Sequence, residues 1–195
     1  MKANDVPELL YRTVLTLIDY HEDPWGATRS VYVLGTHNAL KAAKAFATSA
    51  LQGLNYEPDG FTEYAVRSSE PWEHGDGVLV FARAPAGQEF LIEIDTTLNN
   101  ESLLASPDGT VVIPQGSDRL HYVLQTTIDY NLDRTCSVPS TKIQGTVRES
   151  EEIANEWPFG EGMVAHAVPK TRPNYVMTVR TVPGTHKRHG KKVKQ

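Results

Sequence analysis

Two short acidic segments are the first places where this chain could do chemistry. Ile18-Asp19-Tyr20-His21-Glu22-Asp23 recurs in outline as Ile128-Asp129-Tyr130-Asn131-Leu132-Asp133. Carboxylates that share a site split their pKa values, so that one holds a proton while the other stays ionised. On that reading Asp19 and Asp129 are candidate acid and base, with Tyr20 or Tyr130 donating to a developing oxyanion. The spacing also suits the opening of a calcium loop, which then needs Gly at its sixth position and Glu at its twelfth. Those positions are Pro24 and Ser30 after Asp19, and Arg134 and Ser140 after Asp129, so no metal site is expected. The plainer reading is turn chemistry, because Asp favours the turn that follows a strand.

A second candidate is the segment Ser68-Ser69-Glu70-Pro71-Trp72-Glu73-His74-Gly75-Asp76-Gly77, which sets Trp72 and His74 among three acids. Loops on a rigid scaffold often carry function, so Trp72 is a candidate binding residue and His74 a candidate catalytic one. Trp25, in Asp23-Pro24-Trp25-Gly26, is a further candidate binding residue, an aromatic expected in a turn. His37 follows Gly35-Thr36 at the start of a helical pattern, where backbone amides can receive an anion. No two of the seven histidines have the four-residue spacing of a helical metal site. The single cysteine, Cys136, allows no intramolecular disulfide and has no nucleophile motif around it.

No glycine-rich phosphate loop, His-Glu-x-x-His, Gly-x-Ser-x-Gly or Cys-x-x-Cys occurs, and no cofactor is expected. The net charge of −5 is uneven. Five of the nineteen basic residues lie in the tail from Thr185 to Gln195, leaving fourteen against twenty-four acids, a net of −10, over residues 1–186. An acidic body disfavours nucleic-acid binding there, whereas the tail allows weak contact with nucleic acid. Lys191-Lys192-Val193-Lys194 has the form of a short nuclear-import signal. The N-terminal residues lack the apolar run of a secretory signal, and no apolar stretch has membrane-spanning length. The expectation is an intracellular, cytoplasmic protein with nuclear entry through the tail, and with no membrane partner.

The elements that must position these residues repeat. Residues 10–36 and 120–146 align without a gap at an offset of 110, with nine identities in 27 where chance gives about one or two. Val14, Thr16, Ile18 and Tyr20 share one strand face, matched by Leu124, Thr126, Ile128 and Tyr130. In the first copy Asn38 is the expected N-cap of a helix with Leu40, Ala43, Ala47, Leu51 and Leu54 along one stripe. The matching stretch Ser150–Trp157 is short, acidic and stopped by Pro158. Tyr64–Val66 and Val78–Arg83 are expected strands, paired in the second copy with His166–Val168 and Tyr175–Arg180. Glu89–Thr97 adds a hairpin partner in which Phe90, Ile92 and Ile94 alternate with Leu91, Glu93 and Asp95.

The pattern predicts an α+β fold, a tandem pseudo-repeat of strand-strand-helix-strand-strand units. The units are expected to join edge to edge in one mainly antiparallel sheet with helix on one face. Residues 1–98 form the first unit, 99–119 a linker with a hairpin at Pro107-Asp108-Gly109, 120–184 the second unit, and 185–195 a basic tail. Function follows as a non-catalytic binding or interaction module, using the cleft between units or the Trp72 loop, for a protein or small-molecule ligand. The alternative is a cofactor-independent isomerase, hydrolase or cyclase with acid/base carboxylates in that cleft.

Overall fold

Residues 9–19 form a long interior strand, buried on both faces over Arg12–Leu15, between its two neighbours in the first sheet. The computed structural model describes residues 6–26, 29–68, 71–113, 120–128, 140–147, 163–167 and 174–181. Asp129, Tyr130, Cys136, the segment 150–157 and the tail 185–195 lie outside the described residues. In chain order the elements are β1 (Leu9–Asp19), β2 (Arg29–His37), α1 (Leu40–Gly53), a 3₁₀ turn at Pro58–Gly60, β3 (Glu63–Val66), β4 (Val78–Arg83) and β5 (Gln88–Leu98). They continue with β6 (His121–Ile128), β7 (Ser140–Val147), β8 (Met163–Ala167) and β9 (Asn174–Thr181). The architecture is α+β, with antiparallel strand pairing and one helix packed on a five-stranded sheet.

The strands form two sheets rather than one. The first has the order β2-β1-β5-β4-β3 and the second β7-β6-β9-β8. They meet face to face, because each has an apolar face that edge-to-edge joining would leave wet. Leu10, Val14 and Val33 of the first sheet bury into one cluster with Tyr122, Leu124 and Ile143 of the second and with Leu120 just ahead of β6. Leu103 and Val111 from the hairpin between the sheets complete it. That hairpin closes by an Ala105↔Val111 bridge and docks on β2 through His37↔Thr110. A buried hydrogen bond of 2.9 Å between the Thr36 and Tyr122 hydroxyls ties the two sheets together.

The opposite face of the first sheet belongs to α1. Leu15, Val80, Ala82, Phe90 and Ile92 pack against Ala47, Ala50 and Leu51, whose small side chains let the helix lie close. Both faces of β1 are therefore covered, one by the second sheet and the other by the helix. The helix N-cap is Ala39, not Asn38, and no side chain caps it. Asn38 instead donates its backbone N–H to the Gly109 carbonyl at 2.9 Å, so the linker hairpin has claimed it. At the other end Asn55 takes φ 66°, the left-handed conformation in which Asn commonly terminates a helix.

The two sheets share a pairing scheme. β1 pairs with β2 through Tyr11↔His37, Thr13↔Gly35 and Val14↔Val33, with a shift between Thr13 and Val14. Adding 110 to each number gives the pairs His121↔Val147, Val123↔Gly145 and Leu124↔Ile143, with the shift between Val123 and Leu124. β4 pairs with β5 through Val78↔Glu93 and Val80↔Ile92, shifted between them. Adding 85 gives Met163↔Thr178 and Ala165↔Met177, again shifted between them. This register aligns β4 with β8 and β5 with β9, and among the described residues β3 has no counterpart. It differs from the correspondence expected from sequence, in which Tyr64–Val66 answered His166–Val168.

Candidate functional site

Strand pairing sets side chains of the first sheet in rows that face the second. Val33, Val14 and Glu93 form one row, Val31, Thr16 and Leu91 the next, and Arg29, Ile18 and Glu89 the third. Arg12 and Asp95 pair one row beyond Glu93. A cleft of about 410 Å³ opens over these rows, lined by Val14, Thr16, Arg29, Val31, Leu91, Glu93, Ile94 and Asp95, and by Thr141, Lys142 and Ile143 of β7. That volume is within the range of ordinary small-molecule sites. Alternation along a strand turns Ile94 away from Glu93 and Asp95, and Lys142 away from Thr141 and Ile143. Ile94 and Lys142 thus reach the cleft with main chain, and its charged side chains are Arg29, Glu93 and Asp95.

Each of these charges has a distinct setting. Burial pushes the Glu93 carboxyl above its ordinary range, opposed by the nearby Arg29 charge and reinforced by Asp95. The Arg29 Nε reaches the Gly26 carbonyl only at 3.5 Å. Asp95 lies beside Arg12, a residue only 2% exposed, whose guanidinium carbon sits 6.0 Å from the centre of the Tyr122 ring. Burial lowers the Arg12 pKa, while Tyr122 and Asp95 oppose the fall. Glu89 is taken up by Arg83, which donates to it at 2.9 and 3.1 Å.

The residues singled out from sequence are spread over the molecule. Asp19 ends β1 and accepts from the backbone N–H groups of His21 (3.0 Å) and Glu22 (3.3 Å) and from the Gln88 amide (3.2 Å). Desolvation at the strand end pushes Asp19 up, but those hydrogen bonds outweigh it and hold the carboxyl below its usual range. Asp23 similarly accepts from the Trp25 N–H at 3.1 Å, so both acids shape the turn. Tyr20 packs over Gly26, which has φ +63°; a Cβ there would come within 2.6 Å of the ring. Trp25 is 75% exposed at the tip of this turn.

Trp72 and His74 fold back on the sheet. The His74 ring stacks on Phe81 at 4.1 Å, Trp72 meets His74 edge-on at 4.8 Å, and His74 Nε2 lies 3.5 Å from Glu63. Phe81 pairs with Leu91 and shares its face, so this loop covers the β4 side of the same face that the second sheet covers over β1 and β2. His37 is buried against the Phe46 ring, and its Nδ1 has no hydrogen-bond partner among the described residues. Burial lowers its pKa, with Asp108 opposing. Asp129 and Tyr130 lie outside the described residues, so their place relative to Asp19 is not part of this geometry.

Sequence reasoning missed Arg29, Glu93 and Asp95. Glu93 and Asp95 read there as the wet face of a half-buried strand. The signal available was their shared face with Leu91 on a strand long enough to sit inside a sheet. Among the described residues no group of three or more His, Cys, Asp or Glu side chains is placed to hold a metal, and no helix is long and apolar enough to cross a membrane. No known protein family, curated protein or solved structure matches the chain, and the geometry of the site alone carries its functional reading.

Proposed function

We propose that the chain is a non-catalytic binding module that takes a small molecule into the cleft between two diverged copies of one sheet unit. The observation that carries this reading is the convergence of Arg29, Glu93 and Asp95 on an apolar floor of Val14, Val31 and Leu91, under a lid of Thr141 and Ile143. The cleft is lined about equally by polar and apolar surface, and a few convergent polar groups are what fix a ligand's orientation in such a site. The copies are residues 1–98 and 120–184, joined by 99–119. Their support is the common register, with both strand shifts at matched positions. Leu10, Val14 and Val33 also share a buried cluster with Leu120, Leu124 and Ile143, their partners at the offset of 110. Such packing suits a pseudo-twofold axis between the sheets.

A thermal-shift screen of polar metabolites tests the binding reading. Ligands for the cleft raise the melting temperature of the parent protein and lose that effect in Thr16→Trp, which fills the floor. Ligands that stabilise both proteins equally would place binding elsewhere.

One observation favours the enzymatic alternative: two carboxyls, Glu93 and Asp95, line the cleft together, one of them desolvated. Turnover of a hit, lost in Glu93→Gln, would select that reading. An intracellular, cytoplasmic setting with nuclear entry through Lys191-Lys192-Val193-Lys194 belongs to the same proposal; a fluorescent fusion that stays cytoplasmic with and without residues 185–195 would remove the nuclear part.

A further inference from the structure

We infer that the ligand of the inter-sheet cleft is a zwitterion whose ammonium and carboxylate sit at opposite ends of an apolar body, the ammonium at Glu93 and the carboxylate at Arg29. This rests on the reading of the cleft as a small-molecule site, and it follows from which charges the fold leaves open. Asp95 stands directly opposite the buried Arg12 in the strand register, and its charge favours that of the guanidinium. Glu89, the acid in the same row as Arg29, is held by Arg83 at 2.9 Å. Glu93 and Arg29 remain. They sense each other electrostatically, yet neither forms an ion pair among the described residues.

Their separation is built into the sheet. Glu93 stands in the Val14 row on β5, and Arg29 in the Ile18 row on β2, two rows and two strands away. Rows on one face are about 6–7 Å apart and strands about 4.8 Å apart. Thr16, Val31 and Leu91 fill the row between. The cleft is thus a slot with a negative end, an apolar middle and a positive end. A neutral ligand would desolvate both charges with nothing to pair them, and a singly charged one would strand one of them. An α-amino acid carries its charges too close together to reach both ends. An ω-amino acid, or a molecule of like shape, meets both.

The experiment uses the full chain and four probes of equal chain length: 8-aminooctanoate, octanoate, octylammonium and 1-octanol. Affinities come from calorimetry at neutral pH, and the site from shifts of the Val14, Val31, Leu91 and Ile143 methyl resonances. The expected result is that 8-aminooctanoate binds about tenfold or more tighter than either singly charged probe, as charged hydrogen bonds allow. Glu93→Gln should bring it down to the octanoate level, and Arg29→Gln to the octylammonium level. If 1-octanol binds at the cleft as tightly as 8-aminooctanoate, the charges select nothing; the zwitterion inference falls and the cleft remains a site. If none of the four moves those methyl resonances, the cleft is not a site for such molecules and both readings fall.

Discussion

The two sheets keep the same strand pairing and put different chemistry into it. Thr13↔Gly35 and Val123↔Gly145 occupy matched places, each beside a shift in register. The residues at the other matched positions differ in kind. Arg12 corresponds to Tyr122, and the two meet as a cation over a ring. His37 corresponds to Val147, and Glu93 and Asp95 correspond in register to Thr178 and Arg180. The pairing scheme is common to both sheets, and at matched places beside the shift each has a glycine. The acids that line the cleft, Glu93 and Asp95, both belong to the first sheet. Between β2 and β4 the first sheet also carries α1 and β3, whereas the change of offset from 110 to 85 leaves 25 fewer residues between β7 and β8.

The strongest way to break this comparison is to cut the contact between the sheets. Tyr122→Ala removes a ring that is 2% exposed and leaves Arg12 beside a cavity; a loss of about 3–5 kcal/mol in urea unfolding is expected. Tyr122→Phe, which loses only the hydroxyl bond to Thr36, should cost about 1 kcal/mol. A loss as small for the alanine variant would mean that the sheets do not depend on each other.

Gly35 comes next. A Cβ there would lie 2.9 Å from the Phe46 ring of α1 and 3.2 Å from His37. Gly35→Ala should therefore cost about 1–3 kcal/mol through overpacking. Measuring Gly145→Ala beside it separates the demand of the strand shift from the demand of the helix: equal losses point to the shift, and a loss at Gly35 alone to Phe46.

His37 sharpens the comparison with Val147 through pH. Burial holds its pKa below the ordinary 6.5, so the native state binds fewer protons than the unfolded chain. Its neutral form is retained above the unfolded value, and stability is lost as pH falls through that value toward the folded one. The melting temperature should drop more steeply from pH 7 to pH 5 in the parent than in His37→Leu. Parallel curves would refute a buried neutral imidazole.

Glu93 should give the smallest effect, with the opposite sign. Its raised pKa makes the native state hold the proton more tightly, so its contribution is greatest below the unfolded value and is lost as pH rises through the folded one. Glu93→Gln should slightly stabilise the protein at neutral pH, with the gain fading toward pH 4. A destabilised variant at pH 7 would show that the carboxylate has a partner in the free protein.

Much of the first sheet was legible because its alternation is strong. The Ala43/Ala47/Leu51 stripe marked the helix face correctly, and the structure lays it on Leu15 of β1. Alternation identifies an apolar face but not its cover. Val14 and Leu124 read equally well as two stretches of one continuous sheet, and only the folded chain lays them against each other. The same limit hid the cleft, since Glu93 and Asp95 look like a solvated edge until a second sheet closes over them. The misplaced match of Tyr64–Val66 came from counting strands in order. The better signal was spacing: the β4–β5 and β8–β9 pairs lie at one offset of 85 residues. Asp19 was legible as turn chemistry, because an Asp at a strand end bonds the amides that follow it.

The most direct test of the cleft as the binding site is a methyl-resolved NMR titration of the full chain with a ligand that raises its melting temperature. The expected shifts are concentrated at Val14, Val31, Leu91 and Ile143 and disappear in Thr16→Trp. Shifts centred instead on residues beside Trp72 and His74, or on the Trp25 turn, with the cleft methyls unmoved, would contradict it.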